Sequence, residues 1–200
     1  MPVVLTIDQK ESRTNPDRIG SWIRLLNSEF REQLRLPFVR TAGDEMQAIV
    51  RNSEAVVELV LLGVREDEWW VGIGIGGVEA PLGKTSADSR GSAFYNARDA
   101  MTEAKDSTYG FAVSGDDSHR ARAVSANLTL LALLASRRGI RQWEAVDLMR
   151  HNLSQKEVGQ ELGITPQAVS QRLRSAAWQE ECEGRWLADW LLAPVVAIDA

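Results

Sequence analysis

Cysteine and histidine are scarce in this sequence of 200 residues, which holds one cysteine, Cys182, and two histidines. A single cysteine excludes a disulfide framework and any metal site built from clustered cysteines. Long apolar runs are also missing, since the longest, LTLLALLA at 128–135, is far shorter than the about 20 residues that cross a bilayer. The first residues, MPVVLTIDQKES, lack the apolar stretch of a signal peptide. We therefore expect a cytoplasmic protein that does not bind membranes.

Charge is unevenly distributed along the chain. The formal net charge is -5, yet residues 137–175 hold seven Lys or Arg against four Asp or Glu. A locally basic segment in an acidic chain is typical of a small DNA-binding module.

Hydrophobic periodicity divides the chain into two parts. Residues 1–115 mix strand and helix periods and predict the element order βαββαβαβ, an α+β domain with its helices on one face of a sheet. From about Asp116 only helical periods remain, which predicts an all-α domain over residues 116–200. The predicted helices cover 17–34, 53–64 (with Ser53 as N-cap), 91–105, 118–139, 141–151 and 178–193, and the predicted strands lie within 3–7, 38–50, 69–79 and 109–115.

The segment LSQKEVGQELGITPQAVSQRLRSA, residues 153–176, has the signals of two short helices joined by a tight turn. Ser154 and Glu157 form a capping-box pattern, and Gly163 suits the left-handed residue that ends a helix. Thr165 and Pro166 then have the residue types preferred at an N-cap and at the first helical position. The pattern predicts a helix-turn-helix, although a plain helical hairpin with a solvated polar face would share several of these signals.

The second predicted helix has an apolar stripe and an opposite polar, partly cationic stripe. Short polar and cationic side chains suit base edges and phosphates in a DNA major groove, so we predict binding to double-stranded DNA. The predicted DNA-binding residues are Ser154, Gln155, Thr165, Pro166, Gln167, Ser170, Gln171, Arg172 and Arg174. The segment also resembles the helix-turn-helix of sigma-factor region 4 and related bacterial regulators.

Two aspartates in the first part are candidates for a metal or nucleotide site. Asp8 ends the first predicted strand, and Asp44, followed by Glu45, lies at the glycine turn of 38–50. If their strands are neighbours, the two carboxylates converge at one sheet edge, where they could hold Mg²⁺ against nucleotide phosphates. The alternative is that both are ordinary turn residues. The glycines of GIGIGG, 72–77, permit close approach of a ligand or of another backbone.

Four stretches together resemble the SatD family of bacterial proteins: VVLTIDQKESR, FVRTAGDEMQAIV, WWVGIGIGGVEAPLG and RGSAFYNARDAMTEAK, followed by the C-terminal helix pair. More distantly, the first part resembles the palm of class III nucleotide cyclases and GGDEF domains. This resemblance implies a ferredoxin-like, cyclase-type palm followed by an all-α helix-turn-helix domain, with Asp8 and Asp44 in the metal-binding positions. The cyclase residues that stabilise the transition state fall on Tyr95 and Asp99, which implies nucleotide binding without cyclisation and no catalytic residues.

Three hypotheses follow for the whole chain. The first is a transcription regulator that binds DNA as a homodimer and senses a nucleotide with Mg²⁺ through its palm-like domain. The second is a cyclase-like enzyme tethered to DNA, and the third is a DNA-binding protein whose first domain is only a scaffold. The apolar helix around 124–135 is the preferred dimer contact. The helix over 178–193 either covers the helix-turn-helix, which we favour, or is itself a dimer contact.

Overall fold

The computed structural model describes residues 2–12 and 14–196 and is a mixed α+β structure with one five-stranded sheet. The strands are β1 (Val3–Gln9), β2 (Leu34–Arg40), β3 (Glu45–Val50), β4 (Trp69–Ile75) and β5 (Phe111–Gly115). Eight α-helices lie in the described residues: α1 (Ile19–Glu29), α2 (Ser53–Glu66), α3 (Ser92–Ala104), α4 (Ser118–Ser136), α5 (Ile140–Arg150), α6 (Gln155–Leu162), α7 (Pro166–Ser175) and α8 (Trp178–Val196). Up to β5 these elements follow the predicted order.

The sheet order is β2-β3-β1-β4-β5, so that β1 lies in the centre. β1 pairs with β3 and β4 in antiparallel directions, β2 pairs with β3 antiparallel, and β5 is parallel to β4. Strands β1 and β2 are therefore not neighbours, and Asp8 is opposite Glu45 at the start of β3.

Helices cover both faces of the sheet, so the prediction of helices on one face is wrong. Val3, Leu5 and Ile7 of β1 belong to the buried cluster that includes α1 and α2, whereas Val4 belongs to a second cluster with Ala93 and other α3 residues. Since successive side chains of a strand point to opposite faces, α3 lies opposite α1 and α2. The parallel β4–α3–β5 connection explains this placement, because a crossover helix must pack on one face of the strands it joins.

Two local predictions are also corrected. The helix predicted over 17–34 ends at Glu29, because Asn27 exchanges hydrogen bonds of 2.9 and 2.7 Å with the backbone of Phe38 and Leu34 begins β2. The N-cap of α2 is Asn52, whose side chain accepts a hydrogen bond from the Ala55 N–H, and the predicted cap Ser53 is the first helical residue.

The C-terminal helices pack against α2 and β5. Helix α4 contacts α2 and β5, α8 contacts α4 and α2, and α7 contacts α5, α6 and α8. Their buried side chains join those of α1, α2 and the sheet in one continuous cluster. The division into domains 1–115 and 116–200 stays a prediction. In the described part of the chain, no helix is long and apolar enough to cross a membrane.

Candidate functional site

Asp8 and Asp44 lie together at one end of the sheet. Asp8 is the last residue of β1 that pairs with β3, and the Gln9 N–H donates a 3.3 Å hydrogen bond to the Asp44 carbonyl. The two carboxyl groups are close enough for each to shift the pKa of the other. The convergence expected from the sequence is therefore present, but it comes from β3, which follows Asp44, rather than from β2. Glu45 is not part of it, since its carboxylate accepts the Thr41 hydroxyl at 2.6 Å.

These aspartates line an open cleft of about 790 Å³, which we call the carboxylate pocket. Its lining residues are Asp8, Gln9, Glu11, Ser12, Thr14, Asp44, Trp70 and Lys105. A cleft of this volume could accept a small molecule the size of a nucleotide.

The two carboxyl groups differ in burial and in pKa. The Asp8 side chain is 9% exposed, and burial raises its pKa above the usual range, although Lys105, with Nζ 2.5 Å from Oδ2, acts in the opposite direction. The Asp44 carboxylate raises the pKa of Asp8 further. The Ser12 hydroxyl donates to Asp44 and lowers the pKa of that carboxyl. The pair is therefore arranged so that Asp44 carries the charge more readily than Asp8.

The residues fit a weakly held divalent ion rather than a closed metal site. Among the described residues, no group of three or more His, Cys, Asp or Glu side chains converges to hold a metal. Two carboxylates suffice for Mg²⁺ when waters and substrate phosphates complete its coordination. Within residues 2–12 and 14–196, no group hydrogen-bonds to the buried Oδ1 atom of Asp8, so this atom could act as a ligand.

Lys105 and Ser12, which contact the two aspartates directly, are among the pocket residues that sequence reasoning missed. Lys105 follows the last residue of α3, and its ammonium lies 5.2 Å from the centroid of the Trp70 ring. The sequence offers no signal for this contact, because it depends on α3 crossing the far face of the sheet and ending beside β1.

The glycines of β4 are explained by helix packing. A Cβ at Gly74 would lie 2.1 Å from the Ala93 carbonyl oxygen, and one at Gly72 would lie 2.6 Å from the Ala97 carbonyl oxygen. Of the two alternatives, close approach of another backbone is therefore correct for these positions. Tyr95 is 63% exposed and Asp99 is exposed on the outer face of α3.

The second candidate site is the pair of helices α6 and α7, with α6 and its turn formed as the sequence predicts. Ser154 and Glu157 make a reciprocal capping box, and Gly163 ends α6 in the left-handed conformation. Gly159 is buried where a Cβ would lie 2.8 Å from the Ile164 carbonyl oxygen, so the chain after the turn passes close to α6.

Helix α7 is capped by Thr165, whose hydroxyl accepts from the Ala168 N–H, and Pro166 is its first residue. Val169 and Leu173 are buried against α5 and α6. The opposite face of α7 is consequently turned outward.

Most of the predicted DNA-binding side chains are accessible. The exposed ones are Ser154, Gln155, Thr165, Pro166, Gln167, Gln171 and Arg174. Ser170 and Arg172 are half-buried, and the Arg172 guanidinium pairs with Glu144 of α5 at 3.1 Å. Arg174 is thus the arginine of α7 that is available to a phosphate, whereas Arg172 is partly neutralised.

The basic segment also contributes less surface charge than its composition suggests. Arg138 is buried beside Glu181, and Arg150 lies between Glu58 and Glu181. These side chains, with Arg185, form a group that we call the ionic cluster: Glu58, Arg138, Arg150, Glu181 and Arg185. Four other cations of the segment are exposed: Arg137, Arg141, Lys156 and Arg174.

Apolar exposure is greatest on the outer face of α8. Trp186 and Trp190, one helical turn apart, are 66% and 65% exposed, and Leu187 between them is 37% exposed. In α4, by contrast, Leu128 and Leu131 are buried within the protein. Leu130 of α4 is nevertheless 62% exposed, and the preference for α4 as a dimer contact stays a prediction.

A sequence model of the SatD family matches residues 5–187. Neither the curated proteins nor the solved structures gave a significant match to this chain. The family match extends from β1, which carries Asp8, through both helices of the α6–α7 pair and into α8. With nearly all of its length matched, the chain belongs to the SatD family.

Proposed function

We propose that this protein is a DNA-binding transcription regulator that uses α6 and α7 as a helix-turn-helix. The observation that carries the proposal is the outer face of α7, where Gln167, Gln171 and Arg174 are exposed while Val169 and Leu173 anchor the opposite face. Such a helix can enter a major groove with amide and guanidinium groups toward base edges and phosphates. The capped ends and the close turn at Gly163 hold α7 in one orientation on its support.

The test begins by selecting bound duplexes from a random-sequence DNA pool and measuring their affinity by fluorescence anisotropy at several salt concentrations. We expect Arg174→Ala to weaken binding and to reduce the slope of log K against log salt by about 0.9, the value for one phosphate contact. Gln171→Ala should change the selected sequence more than the slope. Arg98→Ala, an exposed arginine on α3, is the matched control. Equal effects of Arg98→Ala and Arg174→Ala, or no salt-dependent binding, would reject the proposal.

We further propose that the regulator acts as a homodimer, with the outer face of α8 as its contact. Two tryptophans exposed one turn apart would each bury on the order of 150–250 Å² against a second copy. A two-fold dimer would present its two α7 helices to half-sites about one DNA turn apart. Sedimentation velocity at several protein concentrations measures the association directly.

The sheet domain is proposed to be a palm that binds a nucleotide with Mg²⁺. The order βαββαβ of its first four strands and two helices, with β4-β1-β3-β2 pairing, supports this proposal, because a ferredoxin-like palm would have the same order. In this proposal Asp8 and Asp44 would hold the ion, which would neutralise phosphate charge when bound, and Ser12 fixes the Asp44 carboxylate. Neither Tyr95 nor Asp99 supplies a cation for a developing negative charge, so sensing is favoured over turnover.

Thermal unfolding with ATP, GTP and cyclic nucleotides, each with and without Mg²⁺, tests the palm proposal. A ligand at about 100 times its Kd adds about 2.7 kcal/mol, which corresponds to a shift of several degrees. Asp44→Ala should abolish a Mg²⁺-dependent shift, whereas Asp88→Ala, on the connection between β4 and α3, should retain it. No shift with any nucleotide would leave the sheet domain as a scaffold. Release of product from any nucleotide would instead favour the enzyme hypothesis.

A further inference from the structure

The cation of the carboxylate pocket in this structure is the chain's own Lys105. Its Nζ lies 2.5 Å from Asp8 Oδ2 and 5.2 Å from the centroid of the Trp70 ring. An ammonium between a carboxylate and an aromatic face occupies a position of strong negative potential. The pocket therefore already binds a positive charge before any ligand enters.

Lys105 leaves part of the pocket's acceptor capacity unused. The Asp8 carboxylate is fixed by burial, and its buried Oδ1 atom has no hydrogen-bond partner in the part of the chain that the structure describes. A purely structural ion pair would be expected to satisfy both oxygens of so buried a carboxylate, because an unpaired buried acceptor is destabilising. The Asp44 carboxylate lines the same cleft and adds a second negative group to it.

We propose that Lys105 is a displaceable counter-ion, and that a divalent cation binds Asp8 and Asp44 only when Lys105 leaves Asp8. This inference rests on the proposed nucleotide and Mg²⁺ site. An ammonium on Oδ2 and a divalent ion on Oδ1 of the same carboxylate would lie within a few ångströms of each other, and their like charges would repel. The Lys105 side chain is 45% exposed, so its ammonium can move into solvent, whereas the Asp8 side chain, 9% exposed, is held in place by burial.

Displacement also gives Lys105 a second partner. Once it leaves Asp8, its ammonium lies at the mouth of the same cleft, within reach of an anionic ligand there. A nucleotide phosphate could accept it while the divalent ion pairs with the aspartates. Metal and nucleotide should then bind cooperatively, since each favours the arrangement of Lys105 that the other needs.

NMR of protein labelled at the lysine Cε position tests the displacement directly. The chain has four lysines, so the spectrum has few signals, and the Lys105 signal is identified by its loss in Lys105→Met. Adding Mg²⁺ should move the Lys105 signal and leave that of Lys10, which pairs with Asp67 at 2.6 Å outside the pocket. Asp44→Ala should abolish the Mg²⁺ effect.

Metal affinity gives the second measurement, with Mn²⁺ binding followed by electron paramagnetic resonance. Lys105→Met should bind Mn²⁺ about tenfold more tightly than the unsubstituted protein, because no counter-ion has to leave. Lys10→Met is the matched control and should leave the affinity unchanged.

The outcomes separate this inference from the proposal beneath it. If Mn²⁺ binds equally to the unsubstituted protein and Lys105→Met, and Mg²⁺ does not move the Lys105 signal, the displacement is refuted while the metal site stands. If Mn²⁺ binds to neither, both the displacement and the metal part of the proposed function fail. DNA affinity, measured on the same samples, tests the helix-turn-helix proposal independently of either result.

Discussion

Glu181→Gln is expected to be the most destabilising conservative change in the ionic cluster. Glu181 is 1% exposed, with Oε1 3.1 Å from Arg150 Nη2 and 2.7 Å from Arg185 Nη2. Its Oε2 pairs with the equally buried Arg138. Glutamine preserves the size of the side chain, removes its charge and replaces one acceptor oxygen by an NH2 donor that faces the arginines.

The magnitude follows from which arginines keep a carboxylate. Arg150 and Arg185 retain Glu58, at 3.2 and 2.7 Å. Arg138 would keep its 2.9 Å hydrogen bond to the Ala176 carbonyl and its place 5.0 Å from the centroid of the Trp143 ring, and within the described residues no other carboxylate pairs with it. Leaving one buried charge unpaired costs about 3–5 kcal/mol. At about 2–4 °C per kcal/mol for a chain of this length, the Tm should fall by about 6–20 °C.

The pH dependence supplies a second check. Burial alone would raise the pKa of Glu181, but Arg185, Arg150 and Arg138 together lower it below the usual range. A depressed carboxylate pKa stabilises the folded state above the unfolded value of about 4.3, and this contribution is lost as the pH falls through the folded pKa. Thermal unfolding followed by circular dichroism should therefore give a large difference between the two proteins at pH 7 that shrinks below about pH 4.

Glu180→Gln, at the adjacent exposed position, is the control and should change stability by less than about 0.5 kcal/mol. The double variant Arg138→Met with Glu181→Leu should recover most of the loss, since replacing both buried charges removes the unpaired one. A loss below about 1 kcal/mol in Glu181→Gln, or an equal loss in Glu180→Gln, would refute the reasoning.

Three further predictions concern packing, capping and association. Gly74→Ala should lower the free energy of unfolding by about 1–3 kcal/mol, because its Cβ meets α3 backbone, whereas Gly77→Ala, with its nearest neighbour at 3.6 Å, should cost less than half as much in urea titrations. Ser154→Ala should cost about 1 kcal/mol through loss of the α6 cap and lower DNA affinity, measured by unfolding and anisotropy, and Ser154→Asp should retain the stability. Trp186→Ser with Trp190→Ser should convert a dimer to a monomer in sedimentation velocity with an unchanged Tm of the monomer; an unchanged sedimentation coefficient would remove α8 as the contact.

Local signals in the sequence predicted most of the element order and the complete α6–α7 turn. Capping at Ser154 and Thr165 and the left-handed Gly163 depend on neighbours a few residues away, so a short segment determines them. The predicted end of α1 is wrong for the opposite reason. Phe30 and Leu34 continue the apolar helical period, but Leu34 pairs with Val50 of β3, and that long-range ladder overrides the local pattern.

Local sequence patterns could not predict on which face of the sheet each helix packs. Nothing in the period of α3 indicates the face on which it lies, although the glycines of β4 and the alanines of α3 are matched in size. Because that placement decides where α3 ends, the Lys105 contact with Asp8 was equally hidden. Charge counting failed similarly: Arg138 and Arg150 were included in a basic surface but are neutralised by Glu58 and Glu181 from other elements.

The same buried charges provide a physical connection between the sheet domain and α7. Glu58 of α2 pairs with Arg150 and Arg185, both of which pair with Glu181, and Glu181 pairs with Arg138. Arg138 then donates to the Ala176 carbonyl at the end of α7. A shift of α2 relative to α8 would change these pairings within a buried environment, where each is strong and where a half-made pairing is unstable.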